Sequence, residues 1–336
     1  MKIAVDAMGG DFAPAVVVNG ALQAAEQYGI PVTLVGDGTT LEDIVGGKNP
    51  GGGVSIRHCD EVVRMDESPF KAIRSKKSSS IRIAFELVRD GQADAVVSAG
   101  NSGATLAAGL VILGRLKGVE RPGIASILPG RVGDVILIDA GANVDCRPVH
   151  LLHFAFMANA FAVSCLGMKN PKVGLLSIGE EGVKGNELVK AAHGLFKESG
   201  LNFAGNVEGR DIFSGEVQVI VCDGFVGNVA LKVSEGMAKA VSSMIKEEMR
   251  KSLLGKLGLI FGAHAFKRLR DSLDYETYGG APILGINGIG IVCHGSSSER
   301  AILNGIRRAA EYLRNDVRDK LAASLGQGDS SGSREP

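Results

Sequence analysis

The sequence predicts an α/β fold, a largely parallel sheet covered by helices on both faces with one long protruding helix. Two observations lead there. Short β-branched runs alternate with longer helical patterns along most of the 336 residues, and parallel strands need such crossovers. Most strand candidates also carry apolar residues on both parities, as a sheet covered on both faces requires.

Taken in order, the strands are expected at 2–6, 31–36, 54–58, 93–98, 123–128, 134–139, 172–178, 202–206 and 218–222, with a last pair at 283–286 and 290–293. The helices between them are expected at 13–28, 79–89, 102–116, 148–166, 186–199 and 228–252. The run Ala93-Asp94-Ala95-Val96-Val97 reads as a buried strand that feeds the helix from Ser102 through S-A-G-N-S-G-A. Small residues and bare backbone fill that join, where packing side chains are normal. The helix from Asn228 has few breakers and would be about 40 Å long, more than a compact domain needs.

No Pro- or Ser-rich linker and no internal repeat divides the chain, so residues 1–325 read as a single catalytic unit, with two lobes if it divides at all. Residues 326–336 hold one Gly/Ser/charge-rich stretch and read as a disordered tail.

Composition sets the partners. Apolar residues make up 45% and charged residues 22%, and lysine plus arginine balance aspartate plus glutamate. Nothing global argues for nucleic acid, and the lack of tryptophan weakens base stacking further. Five widely separated cysteines without a C-x-x-C read as reduced, mostly buried thiols. No apolar run approaches the roughly 20 residues that span a bilayer, and the first residues read as a strand. A cytoplasmic protein is expected.

Gly-rich turns follow strands at Met8–Asp11, Gly100–Gly103, Gly141–Asn143, Gly179–Asn186 and Asp223–Asn228. A parallel arrangement would bring several of them to one rim, where ligands of open α/β sheets sit. Helix N-termini there suit an anion, and glycine lets phosphate oxygens approach the backbone. Each turn taken alone could equally be a tight βα connection. Together, with Asn, Ser and Lys attached, they point to a phosphate site. G-x-x-x-x-G-K-[ST], G-x-G-x-x-G after the first strand, H-E-x-x-H and G-x-S-x-G are all missing. Neither a metal, a cofactor nor a covalent nucleophile is therefore expected, and a dehydrogenase loses its fingerprint.

Acyl transfer to inorganic phosphate needs none of these, because phosphate is the nucleophile and a thiolate leaves with little help. Lys184 and Asn228 suit it as one cation and one neutral donor, each on a Gly-rich turn before a helix. They would otherwise be a surface lysine and an N-cap. Asp6 and Asp11 are expected behind the anion site. His150 and His153, three apart with no third ligand in view, read as structural. The four cations of Pro69–Ser80 form either a solvated loop or a rim that draws phosphate in.

Five motifs carry a resemblance: D-A-M-G-G-D (Asp6–Asp11), S-A-G-N-S-G-A (Ser98–Ala104), D-x-G-A-N-V-D-C (Asp139–Cys146), S-I-G-E-E-x-x-K-G (Ser177–Gly185) and D-G-F-V-G-N (Asp223–Asn228). With Gly279–Pro282 and His294–Ser297, they resemble the bacterial phosphate acyltransferases of phospholipid synthesis in order over roughly residues 1–320. Ser102 stands where that family commonly has threonine. The resemblance implies a fold similar to isopropylmalate dehydrogenase and phosphotransacetylase, and a homodimer. It also implies conversion of long-chain acyl-carrier-protein and phosphate to acyl phosphate. Lys184 and Asn228 would be catalytic. Gly9, Gly10, Gly100, Asn101, Ser102 and Gly103 would bind phosphate, with Asp6, Asp11 and Asp223 supporting them. Rival readings are a phosphotransacetylase-like enzyme using CoA thioesters and a non-catalytic module that docks the carrier protein or the membrane.

Beyond the long helix, Leu254, Leu257 and Ile260 form an apolar cluster with Lys251 and Lys256 among them and Lys267 and Arg268 beyond. Apolar residues beside cations suit peripheral contact with an anionic membrane, a membrane acyltransferase or the acidic carrier protein. Packing in a dimer interface is the alternative.

Overall fold

The computed structural model describes residues 1–48, 52–252 and 278–329. Its eleven described strands form one sheet: β1 (Ile3–Asp6), β2 (Val32–Gly36), β3 (Val54–His58), β4 (Ala95–Ser98), β5 (Gly123–Pro129), β6 (Asp134–Ile138), β7 (Val173–Leu176), β8 (Phe203–Val207), β9 (Val219–Val221), β10 (Ala281–Leu284) and β11 (Ile289–Val292). The order is β3-β2-β1-β4-β11-β10-β5-β6-β9-β7-β8. Each of these strands was legible in the sequence, with ends shifted by a few residues.

Strand direction was not. Pairing is parallel from β3 through β11, antiparallel at β11–β10, β10–β5 and β5–β6, and parallel again from β6 through β8. Two parallel blocks therefore run in opposite directions on either side of a short antiparallel centre. The expected single rim of turns does not exist. The turns after β1 and β4 belong to one block, and those after β6, β7 and β9 to the other.

The apolar faces behave as double coverage requires. Every residue of β1, β4, β7, β9 and β11 is buried. Helices α1 (Ala15–Tyr28), α2 (Gly38–Val45), α3 (Pro69–Ser75), α4 (Ser80–Arg89), α5 (Ser102–Ala108), α6 (Pro148–Leu166), α7 (Glu187–Glu198), α8 (Gly224–Arg250), α9 (Glu299–Arg314) and α10 (Val317–Asp329) surround the sheet. The sequence reading missed α2, α3, α9 and α10. The last of these continues past Gly326 into the segment read as a tail. It also ran α5 as far as Leu116. In fact the α-form stops at Ala108, a π turn follows over Gly109–Leu113, and Gly114 leaves it at φ 79°.

Helix α9 crosses α1 closely enough that a Cβ on Gly20 would lie 2.6 Å from the Glu299 carbonyl oxygen. Asn19 Nδ2 and Gln23 Nε2 each donate to the Glu299 carboxylate at 2.8 Å. Helix α6, at 19 residues and mean hydropathy 1.6, is long and apolar enough to cross a membrane, contrary to the sequence reading. Its Leu151, Phe154, Met157 and Phe161 are fully buried in the core, which accounts for that composition.

Helix α8 begins at Gly224, a turn earlier than expected, because Asp223 caps it: one carboxylate oxygen accepts from the N–H groups of Phe225 and Val226, both at 2.9 Å. Its 27 residues give a length of about 40 Å. Among them only Gly224 and Gly227 are buried, so the helix stands out from the body as predicted.

Those two glycines let α8 touch the turn after β6. A Cβ on Gly227 would lie 1.9 Å from the Asp139 carbonyl oxygen, and one on Gly224 2.8 Å from the backbone of Asn143. Gly227→Ala should therefore destabilise the protein by about 2 kcal/mol or more through overpacking. Gly194→Ala, in α7 with nothing within 4 Å of the added methyl, should stabilise by about 0.5–1 kcal/mol. Denaturant unfolding of both variants checks this; equal effects would remove the close approach as a constraint.

Candidate active site

A cleft of about 370 Å³ opens over the antiparallel centre of the sheet. Turns from both parallel blocks reach it. Asp11 comes from the turn after β1, Ser102 from the start of α5, His294 and Gly295 from beyond β11, Gly141 from beyond β6, and Asn228 and Lys232 from α8. Ser126 of β5 and Cys293 also line it.

On one side, a chain of hydrogen bonds fixes the turn after β4. The N–H of Gly100 donates to Ser98 Oγ at 3.0 Å, and Ser98 Oγ donates to Asp6 Oδ2 at 2.8 Å. Burial pushes the Asp6 carboxyl up, opposed by the hydroxyls of Ser80 and Ser98 and by the backbone of Met8 and Gly9. A Cβ on Gly9 would lie 2.5 Å from Asp6 Oδ2 and 2.8 Å from Gly100. Gly9 and Gly100 are therefore small so that two turns can touch each other. Gly10, at φ 118°, and Gly103, against Pro69, likewise serve the backbone.

Asn101, expected as a phosphate donor, is committed elsewhere. Its Oδ1 caps α5 by accepting from Ala104 N–H at 3.0 Å, and its Nδ2 donates to the carbonyls of Met65 (3.0 Å) and Glu67 (3.2 Å). It holds the 64–67 loop as a wall of the cleft. Lys76 fastens the same loop through the Glu67 carboxylate and the Val62 carbonyl, so this cation of the 69–80 segment is structural. Of the residues expected to bind phosphate, Ser102 is the one that lines the cleft, where its side chain is exposed.

On the other side, Asp139, which the sequence reading carries only as the first residue of a motif, does the corresponding work. Fully buried, its carboxylate accepts from the N–H groups of Ile124 (3.1 Å), Gly141 (3.2 Å), Ala142 (3.0 Å) and Asn143 (2.7 Å), and from Asn143 Nδ2 (2.8 Å). Burial pushes its carboxyl up, while these donors favour the ionised form. The turn so fixed carries Gly141, at φ 133°, where a Cβ would lie 3.4 Å from Asn228 Cβ. Asn228 thus stands in the second turn of α8 with its side chain in the cleft; capping falls to Asp223.

Lys184 is placed differently from the expectation. It lies exposed on the turn after β7, its N–H donating to the Glu181 carbonyl at 2.9 Å, and it does not line the cleft with Asn228. Lys232 is the lysine that does. Its Nζ lies 2.9 Å from Glu235 Oε2 and 2.5 Å from His294 Nε2, and His294 Nδ1 lies 2.8 Å from Ser296 Oγ. Burial first, then the Lys232 charge, hold the imidazole pKa down, so it stays neutral near pH 7. A signal for Lys232 existed: it follows Asn228 by four residues, hence on the same helix face. It was hidden because the start of α8 was placed at Asn228 itself.

No thiol is ready to attack. Burial pushes Cys293 up to about 12, Cys146 to about 12, and Cys59 and Cys165 to about 11, and raises Cys222 as well. All five are free. Among the described residues, no group of three or more His, Cys, Asp or Glu is arranged to hold a metal. His150 instead closes the start of α6, its Nδ1 accepting from Arg147 N–H at 3.0 Å and its Nε2 3.1 Å from Glu120. Leu254, Lys256, Leu257, Ile260, Lys267 and Arg268 lie outside the described residues; Lys251, at the end of α8, pairs with Glu248 at 2.7 Å.

Residues 1–320 match the family model described as fatty acid synthesis protein. The phosphate acyltransferase of Geobacter sulfurreducens is 52% identical over 326 residues, covering 97% of this chain and 94% of that one. That of Pelotomaculum thermopropionicum is 53% identical over 325 residues, covering 97% and 95%. Among solved structures, a phosphotransacetylase from Streptococcus pyogenes superposes with TM-score 0.60 at 17% identity, covering 94% of each chain. A 4-hydroxythreonine-4-phosphate dehydrogenase from Klebsiella pneumoniae does so with TM-score 0.53 at 16% identity, covering 92% and 98%. At such identities these two speak for the fold alone.

The neutral thiol at the cleft gives a direct expectation. Cys293→Ala should keep turnover within about threefold, since under one thiol in about 10⁴ is ionised at neutral pH when the pKa stands near 12. Intact-protein mass spectrometry after incubation with an acyl thioester should find no acylated chain; an acyl-Cys293 adduct would restore a covalent route.

Proposed function

The chain belongs to the fatty acid synthesis protein family and is a phosphate acyltransferase, and we propose that its acyl donor is a long-chain acyl-carrier-protein and that phosphate attacks the thioester directly. The observation that carries this reading is the meeting of Ser102, Asn228 and the Lys232–His294 pair in one cleft without an ionisable nucleophile. A phosphate oxygen attacks the thioester carbonyl, the carbon–oxygen bond forms, the carbon–sulfur bond breaks, and the proton of hydrogen phosphate ends on the departing thiol. Holding phosphate in line and neutralising the oxyanion supplies most of the rate. Ser102 and Asn228 donate hydrogen bonds, Lys232 supplies the positive charge, His294 holds the Lys232 ammonium in place through Nε2, and the proton passes from phosphate to the departing sulfur.

Lys184 keeps its proposed role as a second cation, supported by its place on a Gly-rich turn. No cofactor enters the scheme. The outward face of α8 supports a homodimer: Val229, Val233, Met237, Val241 and Met244 are all exposed along one helix, an apolar stripe that a second copy would cover. We set the reaction in the cytoplasm at the membrane surface. The alternation of leucines with Lys251 and Lys256 supports membrane contact, as does a lipophilic product that must reach a membrane acceptor.

Incubation with palmitoyl-carrier-protein and phosphate, followed by hydroxylamine, should yield palmitoyl hydroxamate. A preference for short CoA thioesters would instead favour the phosphotransacetylase-like reading. Lys232→Ala and Asn228→Ala should each lower turnover by roughly 10²–10³ with folding intact. If Lys184→Ala does so while Lys232→Ala leaves turnover normal, the working cation is Lys184.

Leu254→Glu combined with Leu257→Glu should abolish flotation with anionic vesicles and spare turnover in solution. Unchanged flotation would defeat the membrane contact, and loss of the dimer would favour packing between copies.

A further inference from the structure

A second hollow adjoins the cleft. It has a volume of about 400 Å³ and runs along the inward face of α8, from Leu231 through Ala238 to Lys246. Its other wall is Ile127, Leu128 and Pro129 of β5 with Phe213. Cleft and groove share Ile127, Leu128, Leu231, Glu235 and Tyr278, so the two lie side by side along α8.

The chemistry of the groove is one-sided. Its floor is aliphatic and aromatic, and its polar residues sit along α8 as Ser234, Glu235, Lys239, Ser242, Ser243 and Lys246, with Glu235 at the cleft end paired to Lys232 at 2.9 Å. Both lysines are exposed, so their methylene stems can cover an apolar guest while the ammonium groups remain in water. Tyr278 adds a ring whose hydroxyl is already engaged with Asp134 Oδ1 at 3.1 Å, leaving its face apolar. From Leu231 to Lys246 the helix rises about 22 Å. A phosphate or nucleotide would find few donors here, whereas an extended hydrocarbon would exclude water along its whole length.

We propose that this groove holds the alkyl chain of the acyl donor, with the thioester at the Lys232–His294 end. This deepens the acyl-transfer reading and rests on it. The helix thus sets both the chemistry, through Asn228 and Lys232, and the chain length, through the residues facing inward further along. Ala238 stands midway as the smallest side chain on that face, where bulk would leave no room for a chain to pass.

Two measurements test it separately from the reaction. The chain contains no tryptophan, so Ser242→Trp places a single tryptophan on the groove. Dibrominated stearic acid should quench it, and Ala238→Phe in the same background, or Ser234→Leu as a second plug, should raise the required concentration at least tenfold. In turnover, kcat/KM of the unmodified protein should rise about fourfold per added methylene until the groove is full, the worth of burying one such group. Ala238→Phe should flatten that rise for long donors. Absence of quenching, or a plug that alters neither quenching nor chain-length dependence, overturns the groove. A plug that changes only the sedimentation of the protein assigns the surface to a second copy and overturns it too. If no donor of any length gives acyl phosphate while quenching and its loss behave as stated, the groove stands and the acyl-transfer reading fails.

Discussion

The carboxylate of Asp139 is the point on which the site depends. It lies fully buried where the antiparallel centre of the sheet meets the second parallel block, and its two oxygens take five N–H donors. Removing an acceptor from so many buried donors would leave each short of a partner, at about 1–3 kcal/mol apiece. The consequence reaches beyond stability. The turn held by Asp139 is the surface on which α8 lands, and the two glycines of that helix are absent of side chains because the backbone of 139–143 occupies the space. Register, tilt and rotation of α8 follow from this contact, and with them the positions of Asn228 and Lys232.

A second clamp mirrors it across the cleft. Asp6, Ser98 and the Gly100 N–H form a short relay that ties the turn after β1 to the turn after β4, and Asn101 extends the rigidity to the 64–67 loop. Both halves use a buried carboxylate to fix backbone, and neither carboxylate faces the cleft as an anion competing with phosphate. The carboxylates that do line the cleft are those of Asp11 and Glu235. Lys232 is partly neutralised by Glu235 at 2.9 Å, which leaves its ammonium in place with His294, near neutral donors that an anion can use.

The shape of the cleft also explains why α8 is long. Its first turns line the cleft and its inward face continues as the wall of the adjoining groove. Its outward face carries a separate apolar stripe. A helix with one apolar stripe is satisfied by a single core. Here the apolar stripe points outward, while the inward face, mostly Ser, Lys and Glu, meets the body across the groove.

The sequence by itself determined the α/β class, each of the eleven described strands and the recurrent Gly-rich turns, because burial on both faces and tight connections leave local marks: apolar residues on both parities, and glycine where side chains cannot fit. It also picked out Asn228 and Ser102, which line the cleft. Tertiary structure alone decided the rest. Two of the three antiparallel pairings are local hairpins, β5 with β6 and β10 with β11, but the pairing that joins them, β10 with β5, links residues more than a hundred apart, such as Ile283 with Ile124, and no local pattern encodes that. Gly9 and Gly100 looked alike as phosphate cradles but serve each other, which is visible only when the two turns are brought together. Lys184 and Lys232 are both lysines close to glycine-rich turns. What separates them is that Asp139, far from either in sequence, rotates α8 so that the second one faces the cleft.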